Sequence, residues 1–158
     1  MGSSTVSAST LVQAPSEAIF AILADPRQHP RIDGSGTVRG TITGPERLSL
    51  GAEFGMDMRQ VASYKVTNRV VEFEEGRLIA WRHQGQHRWR YELQPEGTGT
   101  RVTETWDLTR YPAPVRLGLG ALMGRRTRRA IEETLTRLKA AAESDAQSDA
   151  QSDAPSDA

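Results

Sequence analysis

The chain of 158 residues is long enough for one ordinary domain, and its 20 basic and 20 acidic side chains cancel. That balance gives no global reason to expect nucleic acid as a partner, and the absence of cysteine excludes disulfides and thiolate metal sites. His29, His83 and His87 are too few and too scattered for a zinc or iron site, so neither a metal nor a cofactor is expected. The N-terminus lacks the basic and apolar regions of a signal peptide, and no apolar run could span a bilayer. The expectation is a cytoplasmic protein without stable membrane insertion, a monomer or weak homodimer.

Residues 1–4 are expected to fray. Residues 5–13 (TVSASTLVQ) are rich in β-branched side chains and predict a strand. Pro15 and Ser16 then mark a helix start, Ala18, Ile19, Ile22 and Leu23 supply an apolar stripe, and Asp25-Pro26 stops it. A short helix or turn is expected over 26–31. From Gly36 the punctuation changes, and strand-like runs fall at 36–43, 52–60, 64–74, 78–84, 86–95 and 100–109. Strand 64–74 does not alternate cleanly, because Val66, Val70, Val71 and Phe73 span both faces; a bulge near "EFEEG" would explain it.

After "YPAP" (111–114), Val115, Leu119, Leu122, Ile131, Leu135 and Leu138 recur at helical spacing to about Ala142. The first part of this helix contains Gly118, Gly120 and Gly124, whereas "RAIEETLTRLKAAAE" is a strong helix former. The glycines fit either a loose entrance or close packing of helix on sheet. Between the halves, "RRTRR" (125–129) reads as a solvated face, or as an anion or membrane-surface contact. The closing "SDAQSDAQSDAPSDA" (144–158) is small, polar and acidic, and is expected to form a disordered tail. The folded domain is then 5–143. Its class is α+β: a first strand, one or two short helices, six strands in meander and a long terminal helix. The long terminal helix is the element able to cover the sheet's apolar face.

The pleat and two short turns give a register. In the sixth strand His87, Trp89, Tyr91 and Leu93 form the inward set; in the seventh it is Val102, Glu104, Trp106 and Leu108. A turn at Gly97-Thr98 pairs Leu93 with Val102, Tyr91 with Glu104 and Trp89 with Trp106. A turn at Gly85 pairs His83 with His87, Trp81 with Trp89 and Ile79 with Tyr91. Trp81, Trp89 and Trp106 would then form one row across three strands, with Ile79, Tyr91 and Glu104 in the next. Such a row fits an aromatic core layer. It also fits a ligand cavity, because an inward Glu beside Tyr and Trp needs partners that a dry core rarely supplies. The candidate ligand-binding residues are Phe54, Met56, Met58, Val70, Trp81, His83, Trp89, Tyr91, Glu104, Trp106, Leu119, Leu122 and Met123.

On "QAPSEAIFAILADP", "RVVEFEEGRLIAWRH", "WRYELQPEGTGTRVTETWDL" and "TLTRLKAAAE", the chain resembles the SRPBCC superfamily of START-like helix-grip proteins, especially its polyketide cyclase/dehydrase and lipid-transport branch. The resemblance covers about residues 5–142 and implies the helix-grip fold, a seven-stranded antiparallel sheet wrapped around the terminal helix with an apolar cavity between them. It carries over no catalytic motif, since this superfamily hosts carriers, cyclases, aromatases and stress-related binders. Three readings stand at this point. One is binding or transport of a small hydrophobic or aromatic molecule, lipid or polyketide-like. Another is a cyclase, aromatase or dehydratase, with Glu104, His83 and Tyr91 as the candidate catalytic groups. The third is an interaction protein with a vestigial cavity.

Overall fold

A computed structural model describes residues 4–59 and 61–155, with the side chains of 40 and 41 outside the description. Strand β1 (Thr5–Val12) leads into helix α1 (Ser16–Ala24), a 3-10 turn (Pro26–Gln28) and the short helix α2 (His29–Ile32). Six strands follow as a meander: β2 (Val38–Thr43), β3 (Glu53–Arg59), β4 (Ser63–Glu74), β5 (Leu78–Arg82), β6 (Arg88–Glu96) and β7 (Gly99–Asp107). Helix α3 (Ala113–Ser152) closes the chain. The sheet order is β1-β7-β6-β5-β4-β3-β2, with every neighbouring pair antiparallel. The seven-stranded α+β helix-grip architecture is therefore present.

The expected register holds across the centre. Trp81 opposes Trp89, which opposes Trp106, and Ile79 opposes Tyr91, which opposes Glu104. The turn between β6 and β7 has two residues, and Gly97 takes φ +61°, the left-handed region that a side chain disfavours. In β4 the pairing shifts between Val70 and Glu72, which puts a bulge at Val71. Val66, Asn68 and Val70 are buried before it. After it the parity flips, so Phe73 meets the Phe20 ring edge-on at 5.4 Å while Glu72 reaches Arg88 and Arg90 on the outer face. Asp107, on the outer parity of β7, lies under Arg88 on that same face and is buried.

The second half of α3 is the firm part. Ile131, Leu135 and Leu138 are buried in the core, Lys139 donates to the Leu11 carbonyl at 2.8 Å, and Glu143 accepts from the Gln13 amide at 2.8 Å. The disordered tail needs correction over 144–152, which is helical. Its four-residue period sets Ala146 one turn beyond buried Ala142, and Ala146 packs against the core. Asp145 forms a two-point pair with Arg31 at 2.8 and 3.0 Å. Extending a helix already nucleated upstream avoids the initiation cost that an isolated repeat would face. At the other end, Ser4 is held by the Leu108 amide at 2.9 Å; residues 1–3 and 156–158 lie outside the described residues.

The glycines divide by surroundings. A methyl at Gly34 would overlap the backbone of Ala130 and Thr134, so this glycine lets the α2 loop press against α3. A methyl at Gly118 would meet nothing within 4 Å. Gly118→Ala should therefore raise stability by about 0.5–1 kcal/mol through helix propensity. Gly34→Ala should lower it by about 1–3 kcal/mol. Chemical denaturation of the two variants checks both signs.

Candidate functional site

Between the curled sheet and the first half of α3 lies a cavity of about 430 Å³. Its sheet wall is built by alternate residues of β3 to β7: Met56 and Met58, Val66 and Asn68, Trp81, Trp89 and Tyr91, then Glu104 and Trp106. Its helical wall follows the spacing of one face of α3, through Leu119, Met123, Arg126, Thr127, Ala130, Ile131 and Thr134. The segment after α1 closes one side with His29, Ile32, Asp33, Ser35 and Thr37.

Ten of the thirteen sequence-predicted residues line this space: Met56, Met58, Trp81, His83, Trp89, Tyr91, Glu104, Trp106, Leu119 and Met123. Three do not. Phe54 is buried behind the wall, edge-on to His29 at 5.3 Å and to Trp81 at 5.7 Å, and supports both rings. Val70 is buried opposite Trp81 in the ladder. Leu122 is 83% exposed. It sits one position off the 119–123–126–127 face, on the solvent side of the helix.

The aromatic wall is layered. Trp81 stacks on His29 at 4.8 Å on one side and on Tyr91 at 5.3 Å on the other, and Trp89 and Trp106 lie 6.2 Å apart. The His29 Nε2–H donates to the Leu23 carbonyl at 2.9 Å, and burial lowers the pKa of this ring. Beside Tyr111, which precedes α3, His83 and His87 meet edge-to-face at 4.9 Å. The Tyr111 hydroxyl accepts from the Gln86 amide at 2.9 Å, which leaves its proton for His87 Nδ1 at 3.2 Å. Burial, with His83 alongside, pushes His87 down to about 4. All three histidines are thereby held neutral at neutral pH.

Glu104 is the unusual member. It is 3% exposed, and its Oε1 accepts the Tyr91 hydroxyl proton at 2.9 Å, whereas Oε2 finds no protein partner. Burial drives its pKa up to about 8; the Tyr91 hydrogen bond opposes that shift and the charge of Asp33 adds to it. Asn68 is 2% exposed, and its Nδ2 likewise has no protein partner. At neutral pH both groups are donors, the protonated Oε2 and the amide Nδ2. Among the described residues no group of three or more His, Cys, Asp or Glu side chains is placed to hold a metal ion.

The sequence reading missed Asn68, His29, Asp33 and His87. Asn68 sits at the right parity in β4, two residues before Val70, and strand alternation could have found it. His87 stood in the inward set of β6. His29 and Asp33 lie around a four-residue helix with no periodicity to read.

Sheet, gripped helix and internal cavity define a helix-grip protein of the START-like kind. Residues 3–143 match the family described as polyketide cyclase/dehydrase and lipid transport, and the chain belongs to that family. An uncharacterized Mycobacterium tuberculosis (strain H37Rv) protein, Rv0088, is 45% identical over 108 residues, which cover 67% of this chain and 48% of the relative. The chain thus spans about half the length of the curated relatives it matches. Among solved structures, Ms6760 from Mycobacterium smegmatis superposes with a TM-score of 0.66 at 18% identity, covering 90% of this chain and 92% of that one. The di-domain ARO/CYC StfQ of the steffimycin biosynthetic pathway gives 0.68 at 16% identity, covering 91% of this chain and 52% of that one. At these identities the likeness speaks for the fold.

The charge state of Glu104 has a measurable consequence. Its pKa is raised from the usual 4.5 to about 8, so the folded protein keeps a proton that the unfolded chain releases, and stability falls as pH rises through that interval. The histidines act oppositely: their pKa values are lowered from 6.5, so their contribution is present above that pH and is lost on acidification. Between pH 6.5 and 8 the unfolded histidines lose the rest of their protons, so their contribution still grows while that of Glu104 falls. The contribution of Glu104 should fall by about 1–2 kcal/mol across that interval, read as the stability of wild type relative to Glu104→Gln at each pH. Glu104→Gln should remove that fall and leave the histidine contribution in place, as measured by urea unfolding at fixed pH values.

Proposed function

We propose that the cavity binds a small hydrophobic or aromatic molecule bearing an acceptor oxygen, a lipid or polyketide-like compound. The observation that carries this is the pairing of an aromatic wall with two buried, unpartnered donors, Glu104 Oε2 and Asn68 Nδ2. A buried polar atom without a partner costs about 1–3 kcal/mol, and a ligand oxygen would offset that cost. Met56, Met58, Leu119 and Met123 supply adaptable apolar surface for the rest of such a ligand. Family membership and the likeness to an ARO/CYC fold agree with this chemistry.

A second reading has its own support. A carboxyl group kept protonated to about pH 8 beside an apolar cavity is suited to general acid catalysis, with Tyr91 orienting it. In that reading Glu104 gives its proton to a carbonyl or leaving hydroxyl oxygen of a substrate stacked on the tryptophans. Turnover of a synthetic polyketide that disappears in Glu104→Gln would favour the enzyme; tight binding without turnover would favour the carrier.

Native mass spectrometry of freshly purified protein should reveal a co-purified small molecule. In parallel, titration with apolar aromatic ketones should change the emission of Trp81, Trp89 and Trp106 in a saturable way. Glu104→Leu or Asn68→Leu should weaken that binding roughly fivefold, the worth of one hydrogen bond, whereas Glu104→Gln, which keeps a donor at that place, should retain it. Emission indifferent to the whole panel, in protein that remains folded, would sink the proposal.

A further inference from the structure

The first half of α3 carries a surface that the cavity shares only at Met123. Leu122 is 83% exposed, with Val115 and Leu117 each at 44% and Met123 at 40%. A leucine this exposed on a helix otherwise rich in polar residues costs free energy in water unless something covers it. Around these side chains the charge is one-sided. Residues 108–131 contain six arginines (110, 116, 125, 126, 128 and 129) and no Asp or Glu. Arg128 is tied to Glu132 at 3.0 Å. Val115, Leu122 and Arg129 follow each other at seven-residue intervals, so they share one stripe of the helix, with Arg125 beside it.

The charge reverses along the same helix. Residues 132–158 hold seven acidic side chains against two basic ones, although the whole chain is neutral. The molecule is thus polarised, positive at the apolar end of α3 and negative at the other. Across the cavity from Met123, the β3–β4 hairpin adds a fully exposed Val61 and Tyr64 at 44% exposure, and Tyr64 also lines the cavity.

We infer that this face docks on an anionic phospholipid bilayer, with the first half of α3 lying in the headgroup region and the cavity mouth turned toward the membrane. The exposed leucine and methionine would enter the acyl boundary while the guanidinium groups reach lipid phosphates along their aliphatic stems. The acidic end of α3 would be repelled, which fixes the orientation. A nucleic-acid partner fits less well, because phosphate-tracking surfaces present stacking aromatics and polar groups in place of exposed leucine. Docking of this kind is peripheral. Among the described residues no helix is long and apolar enough to cross a membrane. The inference goes beyond ligand binding and does not depend on what the cavity holds.

Co-sedimentation of the full chain with vesicles tests it. Vesicles of phosphatidylcholine containing about 30% phosphatidylglycerol should bind at least about tenfold more tightly than pure phosphatidylcholine, and added salt should weaken the binding. Arg125→Glu/Arg129→Glu should lose about tenfold in affinity for the anionic vesicles, since both charges change sign. Leu122→Ser should lose several-fold, and its deficit should persist at high salt. All three positions lie outside the cavity wall, so the variants should keep their melting temperature and their response to an aromatic ketone. The inference is overturned by equal binding to neutral and anionic vesicles, by no binding to either, or by wild-type affinity in either variant. Tighter binding to duplex DNA than to the anionic vesicles, unaffected by Leu122→Ser, would also overturn it.

Discussion

Two strands joined by a two-residue turn cannot slip by one position without turning every side chain to the other face of the sheet. In β6 and β7 the turn at Gly97-Thr98 imposes that constraint, and the character of the cavity follows from it. With Leu93 set against Val102, Tyr91 must meet Glu104 and Trp89 must meet Trp106, all on the concave side. The same parity sends Arg88 and Arg90 outward, where Glu72 pairs with both and Asp107 with Arg88. One hairpin thus treats its charges in two ways. Outside they are paired; inside, the single carboxylate is driven toward its neutral form.

An inward carboxyl group lowers stability unless it is neutralised or bonded, and an apolar residue of the same size would fill a plain core better. The fold keeps a space beside Glu104 instead. The division of α3 shows how. Where it carries Ile131, Leu135 and Leu138 it is pressed into the sheet and secured to β1 through Lys139 and Glu143. Where it carries glycines the fit is looser: a side chain at Gly118 would have open space around it, and one at Gly124 would meet only Val6, at an ordinary 3.9 Å. At neither of these two positions does a tight approach of helix to sheet require the glycine. The cavity lies under the part of the helix that does not press down.

Alternation and turn length made the sheet wall legible in the sequence. The tryptophan row, the Tyr91–Glu104 pair and the disturbance in β4 all follow from side-chain period and glycine placement. Three kinds of feature did not follow. Burial alone does not distinguish a residue that faces the cavity from one that supports the wall, hence Phe54 and Val70. A helix stripe read from apolar identity drifts by one position where glycines interrupt it, hence Leu122. Residues 144–152 look featureless by composition, yet their four-residue period continues a stripe begun at Leu138 and Ala142. Contacts from short irregular segments, such as His29 on Trp81, depend on where the chain returns in space, and no local pattern encodes that.

The rows of the sheet place Asn68 and Glu104 on either side of the tryptophan band even though they belong to strands three apart. The tryptophan row runs Val70, Trp81, Trp89, Trp106. On one side of it lies the row of Ile79, Tyr91 and Glu104. On the other side, continuing the register by two residues along each strand, lie Asn68, His83 and His87, and the two imidazoles do touch at 4.9 Å. An apolar aromatic band is therefore bordered by a polar row on each side, each with one unpartnered donor. A flat ligand of the proposed kind, laid on the band, would meet a donor toward either edge. The spacing of those donors is set by the pleat repeat of about 7 Å per two residues and the strand spacing of nearly 5 Å. Selection among ligands would then rest on how far apart their acceptor oxygens are, a property fixed by strand register more than by the shape of the adaptable methionine wall.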